Sequence, residues 1–142
     1  MNMSTVMTRD VVVVSPTVTA GVAARMMQRL RIRHLPVVED GRLVGILSDR
    51  DLLKHPPEAR CGDAMTAAPV TCLSNASVSH VAKLMLEHKI DSIPIVSYSG
   101  TLTGLVTSTD LLALLVEQHE AQLLPFDFRL RTAASDSDPL FD

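Results

Sequence analysis

Internal self-similarity limits what this chain can become more than any single motif in it. Met7-Thr8 returns as Met65-Thr66, and Ala24, Met27, Ile32 and Pro36 return as Ala82, Met85, Ile90 and Pro94, all displaced by 58 positions. After one inserted residue near Tyr98-Ser99, the series resumes with Gly41, Gly45, Asp51 and Leu52, matched by Gly100, Gly104, Asp110 and Leu111 at a displacement of 59. A one-residue slip within a turn is what duplicated structure tolerates. The fold must therefore accommodate two copies of one small unit. Each is too short to bury a comfortable core alone, so the two are expected to share a face.

Each unit reads as strand, helix, strand, strand, helix. The β-branched run Val11-Val12-Val13-Val14, stopped by Ser15-Pro16, predicts a first strand. A helix follows from Thr19, with Thr17 or Thr19 as its cap. Val22, Met26 and Leu30, with Ala23 and Met27, form its apolar stripe. Leu35-Pro36-Val37-Val38, the turn Glu39-Asp40-Gly41 and Leu43-Val44-Gly45-Ile46-Leu47 predict a hairpin. Ser48 or Asp49 then caps a second helix through Leu53. The second unit repeats this order, with a first strand over 69–73 and a last helix from Thr107 or Ser108 to about His119.

Boundaries follow from the same reading. Repeat 1 occupies residues 1–55, a proline linker 56–62, repeat 2 residues 63–119, and an acidic tail 120–142. Residues 125–142 hold four Asp, two Ser and two Pro, a composition expected to be disordered, although all three phenylalanines (Phe126, Phe128 and Phe141) lie there. Cys61 falls in the linker and is expected near the surface.

Composition narrows the function. With 46% hydrophobic but only 3% aromatic residues and no Trp, the core is aliphatic. Base-stacking platforms for single strands are lacking, and a net charge of −3 opposes a phosphate-backbone binder. The two cysteines, Cys61 and Cys72, form no Cys-x-x-Cys pair, and the five histidines show no zinc-ligand spacing. No apolar run is long enough for a signal peptide or a membrane span, so a cytoplasmic protein is expected. His80 and His88 read as packing residues, His88 aligning with an apolar Leu30. No Ser-His-Asp grouping or acid pair supports catalysis, and no enzyme is expected.

The order Met-Thr, strand, Pro, amphipathic helix, apolar-Pro-apolar-Val, then Gly-h-h-Ser/Thr-x-x-Asp (h, apolar) resembles the CBS domain, the module named after cystathionine β-synthase. The motif stands twice, as Gly45-Ile46-Leu47-Ser48-Asp49-Arg50-Asp51 and as Gly104-Leu105-Val106-Thr107-Ser108-Thr109-Asp110. The likeness covers about residues 3 to 118. It implies an α/β (α+β) fold: tandem repeats, each a small three-stranded sheet with two helices, paired about a pseudo-two-fold axis as a Bateman module. It also implies a homodimer through helices, and clefts for adenosyl compounds such as AMP, ADP, ATP or S-adenosylmethionine as regulatory ligands rather than cofactors.

The motif has its own physics. Ser48 and Thr107 stand at helix N-termini, where unpaired N–H groups favour an anion or accept a cap. Asp51 and Asp110 are placed to accept from a ribose diol, or merely to complement the helix dipole. The resemblance distributes the remaining residues between two clefts. One gathers Thr107 and Asp110 with Val12, Arg33, His34 and Arg50. The other gathers Ser48 and Asp51 with Val70, Asp91 and Ser92, and with Thr109 in place of Arg50. Three basic groups suit a phosphate in the Asp110 cleft, whereas Asp91 repels one in the Asp51 cleft. Arg29 and Arg31 read as a solvated basic edge. The reading that follows is a regulatory sensor of an adenine nucleotide, acting on a separate effector protein, with no nucleic acid or membrane partner. The alternative is a ligand-free dimeric scaffold built on the apolar helix Leu111, Leu112, Leu114, Leu115 and Val116.

Overall fold

The computed structural model describes residues 1–118; the tail and its phenylalanines lie outside the described residues. In chain order the elements are α1 (Met3–Val6), α2 (Ala20–Leu30), β1 (His34–Glu39), β2 (Arg42–Ser48), α3 (Asp49–Leu53), α4 (Cys61–Ala64), β3 (Thr66–Ala67), α5 (Val78–His88), β4 (Ser92–Val96), β5 (Leu102–Thr107) and α6 (Ser108–Gln118). Among the described residues no helix is long and apolar enough to cross a membrane.

The two hairpins are duplicates. β1 pairs antiparallel with β2, setting Leu35 opposite Leu47 and Val37 opposite Gly45. β4 pairs antiparallel with β5, setting Ile93 opposite Val106 and Ile95 opposite Gly104. The inserted residue sits in the loop. Asp40-Gly41 turns the first hairpin with φ of 51° and 77°, the signature of a two-residue primed turn, whereas the second turns over Tyr98-Ser99-Gly100 with Gly100 at φ 85°.

The expected first strands contract to single bridges. Val14 alone pairs, parallel, with Val37, and Cys72 alone pairs with Ile95. The cause is the path of the chain. Thr8 is already bonded both ways to Leu105 of the other repeat, at 2.9 and 3.0 Å, so residues 9–13 cross from one sheet to the other and cannot follow either ladder.

That crossing exchanges the opening segments. β3, which carries Thr66 of the second Met-Thr pair, completes the sheet of repeat 1 in the order β1-β2-β3, while Thr8 joins β5 of repeat 2. The cores follow the exchange. Met3 and Met7 are buried with Cys72, Val81, Met85, Ile93, Ile95 and Val106. Cys61 and Ala64 are buried with Val14, Ala23, Met27, Leu35, Val37 and Leu47. Cys61 is therefore wholly buried instead of lying at the surface, and burial pushes the thiols of Cys61 and Cys72 up from their ordinary range. A Cβ on Gly104 would come within 2.8 Å of Met7 Cγ and 3.1 Å of Thr8 O, and one on Gly45 within 2.8 Å of Met65 Cγ. The motif glycines thus seat the methionine exchanged from the other repeat.

Thr19 caps α2 by accepting from Val22 N–H, and Ser77 caps α5 by accepting from His80 N–H. The apolar stripe of α2 divides. Ala20, Ala23 and Met27 enter the core, while Val22 and Leu30 stay on the outer side, 37% and 50% exposed. His88, the counterpart of Leu30, is likewise exposed and not a packing residue. α2 packs on α3, and α5 on α6.

Candidate functional site

Each Gly-h-h-Ser/Thr-x-x-Asp motif ends a strand and starts a helix. Ser48 N–H donates to Asp51 Oδ2 at 2.8 Å while Asp51 N–H donates to Ser48 Oγ at 3.1 Å, a reciprocal capping box. Thr107 N–H donates to Asp110 Oδ2 at 2.8 Å, and Asp110 N–H to Thr107 Oγ1 at 3.3 Å. The capping role is therefore real at both sites, and it engages only one oxygen of each carboxylate. No described residue donates to Oδ1 of Asp51 or Asp110.

A cleft opens beside each motif, about 330 Å³ next to Asp110 and about 340 Å³ next to Asp51. Thr107, Asp110, Val12, Arg33 and His34 line the first. Ser48, Asp51, Val70, Asp91 and Ser92 line the second. The walls correspond position by position: Val11 and Val12 with Pro69 and Val70, Ile32 with Ile90, and Leu105 with Ile46 give each cleft an apolar slot.

Three assignments are corrected. Arg50 lines the Asp51 cleft and Thr109 the Asp110 cleft, the reverse of the expectation. The reason is local: Arg50 stands between Asp49 and Asp51 in the first turn of α3, so it sides with its own motif. Asp91 and His34 line both clefts, because His34 Nε2 lies 2.8 Å from Asp91 Oδ1 across the boundary between repeats. Arg31 is no detached basic edge but part of the Asp110 cleft wall.

Sequence reasoning also passed over Lys89 and Asp10, and it assigned neither His88, read as packing, nor Asp49, read as a candidate cap, to a cleft. Lys89, the counterpart of Arg31, lines the Asp51 cleft with His88 and Asp49, while Asp10 lines the Asp110 cleft. A signal for the first was present: both repeats set a basic residue immediately after the helix. With these added, Arg31 and Arg33 face Asp10, Asp91 and Asp110 in one cleft, and Arg50 and Lys89 face Asp49, Asp51 and Asp91 in the other. The cationic surplus expected of the Asp110 cleft is therefore absent. One difference survives: the position before His34 is Arg33, and the equivalent position before Ser92 is Asp91. Among the described residues no cluster of His, Cys, Asp and Glu is arranged to hold a metal ion.

Known proteins share this arrangement. The chain is 35% identical over 128 residues to inosine-5'-monophosphate dehydrogenase of Korarchaeum cryptofilum, an alignment covering 89% of this chain and 26% of that enzyme. The chain thus spans about a quarter of the length of such curated relatives, 22% for the Thermoplasma acidophilum dehydrogenase. Among solved structures, the CBS domain pair of protein MJ0100 in complex with 5'-methylthioadenosine and S-adenosyl-L-methionine superposes with a TM-score of 0.79 at 25% identity, covering 84% of this chain and 98% of that one. CBSX2 in complex with AMP superposes with a TM-score of 0.76 at 27% identity, covering 82% and 96%. The CBS domain family matches residues 3–58 and again residues 61–117, and with both hairpins, both motifs and both clefts in place the chain belongs to that family as a tandem pair.

Proposed function

We propose that this chain is a regulatory module that senses an adenosyl compound, AMP in the first instance, in the clefts between its repeats. The observation that carries the reading is the duplicated cleft itself: an apolar slot beside a helix N-terminus, lined by an aspartate whose Oδ1 has no described donor. The slot suits an adenine ring. Oδ1 of Asp110 or Asp51 suits the ribose hydroxyls, which would donate to it. Arg33 and Arg31 suit a phosphate in the Asp110 cleft, and Arg50 and Lys89 in the other. The ligands bound by the CBS pairs of MJ0100 and CBSX2 support the same class.

Calorimetric titration of AMP and of methylthioadenosine tests this. Binding is expected for both. Asp110→Ala should weaken AMP by about ten- to hundredfold, the loss of a charge-assisted hydrogen bond. Asp51→Ala should weaken AMP in its own cleft by a similar factor, because each cleft sets two Arg or Lys side chains against three carboxylates. Absence of binding at millimolar ligand would overturn the sensor reading. The scaffold reading would then gain from the exposed Leu112, Leu115 and Val116 on α6.

The signal would pass through self-association. We place the dimer contact on the outer helical face, where Leu112, Leu115 and Val116 of α6 are 61%, 54% and 81% exposed. An apolar face of this kind is self-complementary under two-fold symmetry, so a second copy of the chain can cover it. A separate effector protein would read the resulting assembly.

A further inference from the structure

The two clefts share two side chains, His34 and Asp91, and these are bonded to each other. The pair joins the two motifs directly. His34 lies opposite Ser48, the cap of α3, in the β1–β2 ladder. The Asp91 carbonyl accepts from Ser108 N–H at 2.8 Å, at the start of α6. The His34 side chain is 11% exposed and that of Asp91 52%, so the imidazole is held in the boundary while the carboxylate remains open to both clefts. A carboxylate accepts, so His34 Nε2–H donates to it, and this one donor tempers the negative charge that each cleft meets.

We propose that the His34–Asp91 pair makes the two clefts antagonistic for phosphate-bearing adenosyl ligands, each weakening the other, while leaving both open to adenosyl ligands without a phosphate. The inference rests on the adenosyl reading given above. A phosphate entering the Asp110 cleft competes with Asp91 for the His34 donor, since both are anionic acceptors. Asp91 then faces the Asp51 cleft as a carboxylate without its donor, and a second phosphate there meets like charge from both neighbours. Binding in one cleft thus lowers affinity in the other, and by linkage the penalty is the same in either order. A methylthio tail carries no charge and does not draw on the pair.

Titration of the intact chain with AMP and, separately, with 5'-methylthioadenosine decides the matter. The second AMP is expected to bind about tenfold or more weakly than the first, whereas two methylthioadenosines bind with similar affinity. Asp91→Asn keeps an acceptor for His34 and removes the charge. It should bring the second AMP to within a few fold of the first. Two equal AMP sites in the unmodified protein, or a second AMP site unchanged by Asp91→Asn, would overturn the coupling while leaving the adenosyl reading intact. A single methylthioadenosine per chain would overturn it too, because one cleft would then be closed for a reason other than charge. Binding of neither ligand would remove the adenosyl reading and the coupling with it.

Discussion

Arg31 and Lys89 end α2 and α5 in the left-handed region, at φ 55° and 53°, where glycine usually stands. A side chain there costs about 1–2 kcal/mol, more than the chain entropy of about 0.4–1 kcal/mol that a glycine would add to the unfolded state. Lys89→Gly should therefore raise the melting temperature yet weaken AMP in the Asp51 cleft that Lys89 lines. Ala68, at φ 47° in the same cleft wall, provides the control: Ala68→Gly should stabilise without touching the charge. Thermal melts paired with titration separate the two effects. A Lys89→Gly protein that melts lower would show that the lysine stem contributes packing that its exposure does not reveal. The capping boxes add a further residue-scale consequence. Asp110→Ala should cost about 1 kcal/mol of stability through the lost cap in addition to its effect on affinity.

Among the elements, the exchanged Met-Thr segments have the largest consequences. Gly104→Ala sets a methyl against Met7 and the Thr8 carbonyl, and overpacking of this kind costs about 1–3 kcal/mol. Adding Met7→Ala should recover part of that loss, since the clash requires both partners, and a double-mutant cycle by urea unfolding would measure the coupling. Additivity would mean that the segment shifts away freely. Cys61, seated by the same exchange, and Cys72 should resist alkylation in the native protein and react on denaturation. Their folded-state pKa values lie above the ordinary 9.0, so this contribution to stability is complete below pH 9 and lost as pH rises through the folded values. Denaturant midpoints that hold constant above pH 9 would contradict it.

At the scale of the whole molecule, among the described residues α6 leaves Leu112, Leu115 and Val116 exposed. Leu115→Asp should convert the expected dimer to monomer, because a carboxylate on each side of a two-fold contact meets its own copy. Light scattering at micromolar concentration reads the change. A protein that is already monomeric before the substitution would refute the contact, and the clefts, which lie within one chain, would be unaffected.

Much of this was legible in the sequence because it depends on neighbours along the chain. The displacement of 58 and then 59 residues announced the duplication, and the one-residue slip fell in the second hairpin loop, where a turn absorbs it. The two motifs gave the caps at Ser48 and Thr107 and the aspartates that return to them, since those bonds span only three residues. What the sequence left open depends on where the chain crosses. Residues 11–14 have strand chemistry, yet the crossing between sheets leaves only Val14 with a ladder partner. Cys61 and Met3 enter cores formed mainly by the other segment, which no local periodicity records. The charge of each cleft was misread for a related reason: Arg50 stays with its own helix turn, while His34 and Asp91, 57 residues apart, meet at the boundary and belong to both sites. Local hydrogen bonding is fixed by residues a few positions apart, and the sequence determines it. The potential in a shared cleft sums over residues brought together only by the pairing of the repeats, and tertiary structure alone decides that sum.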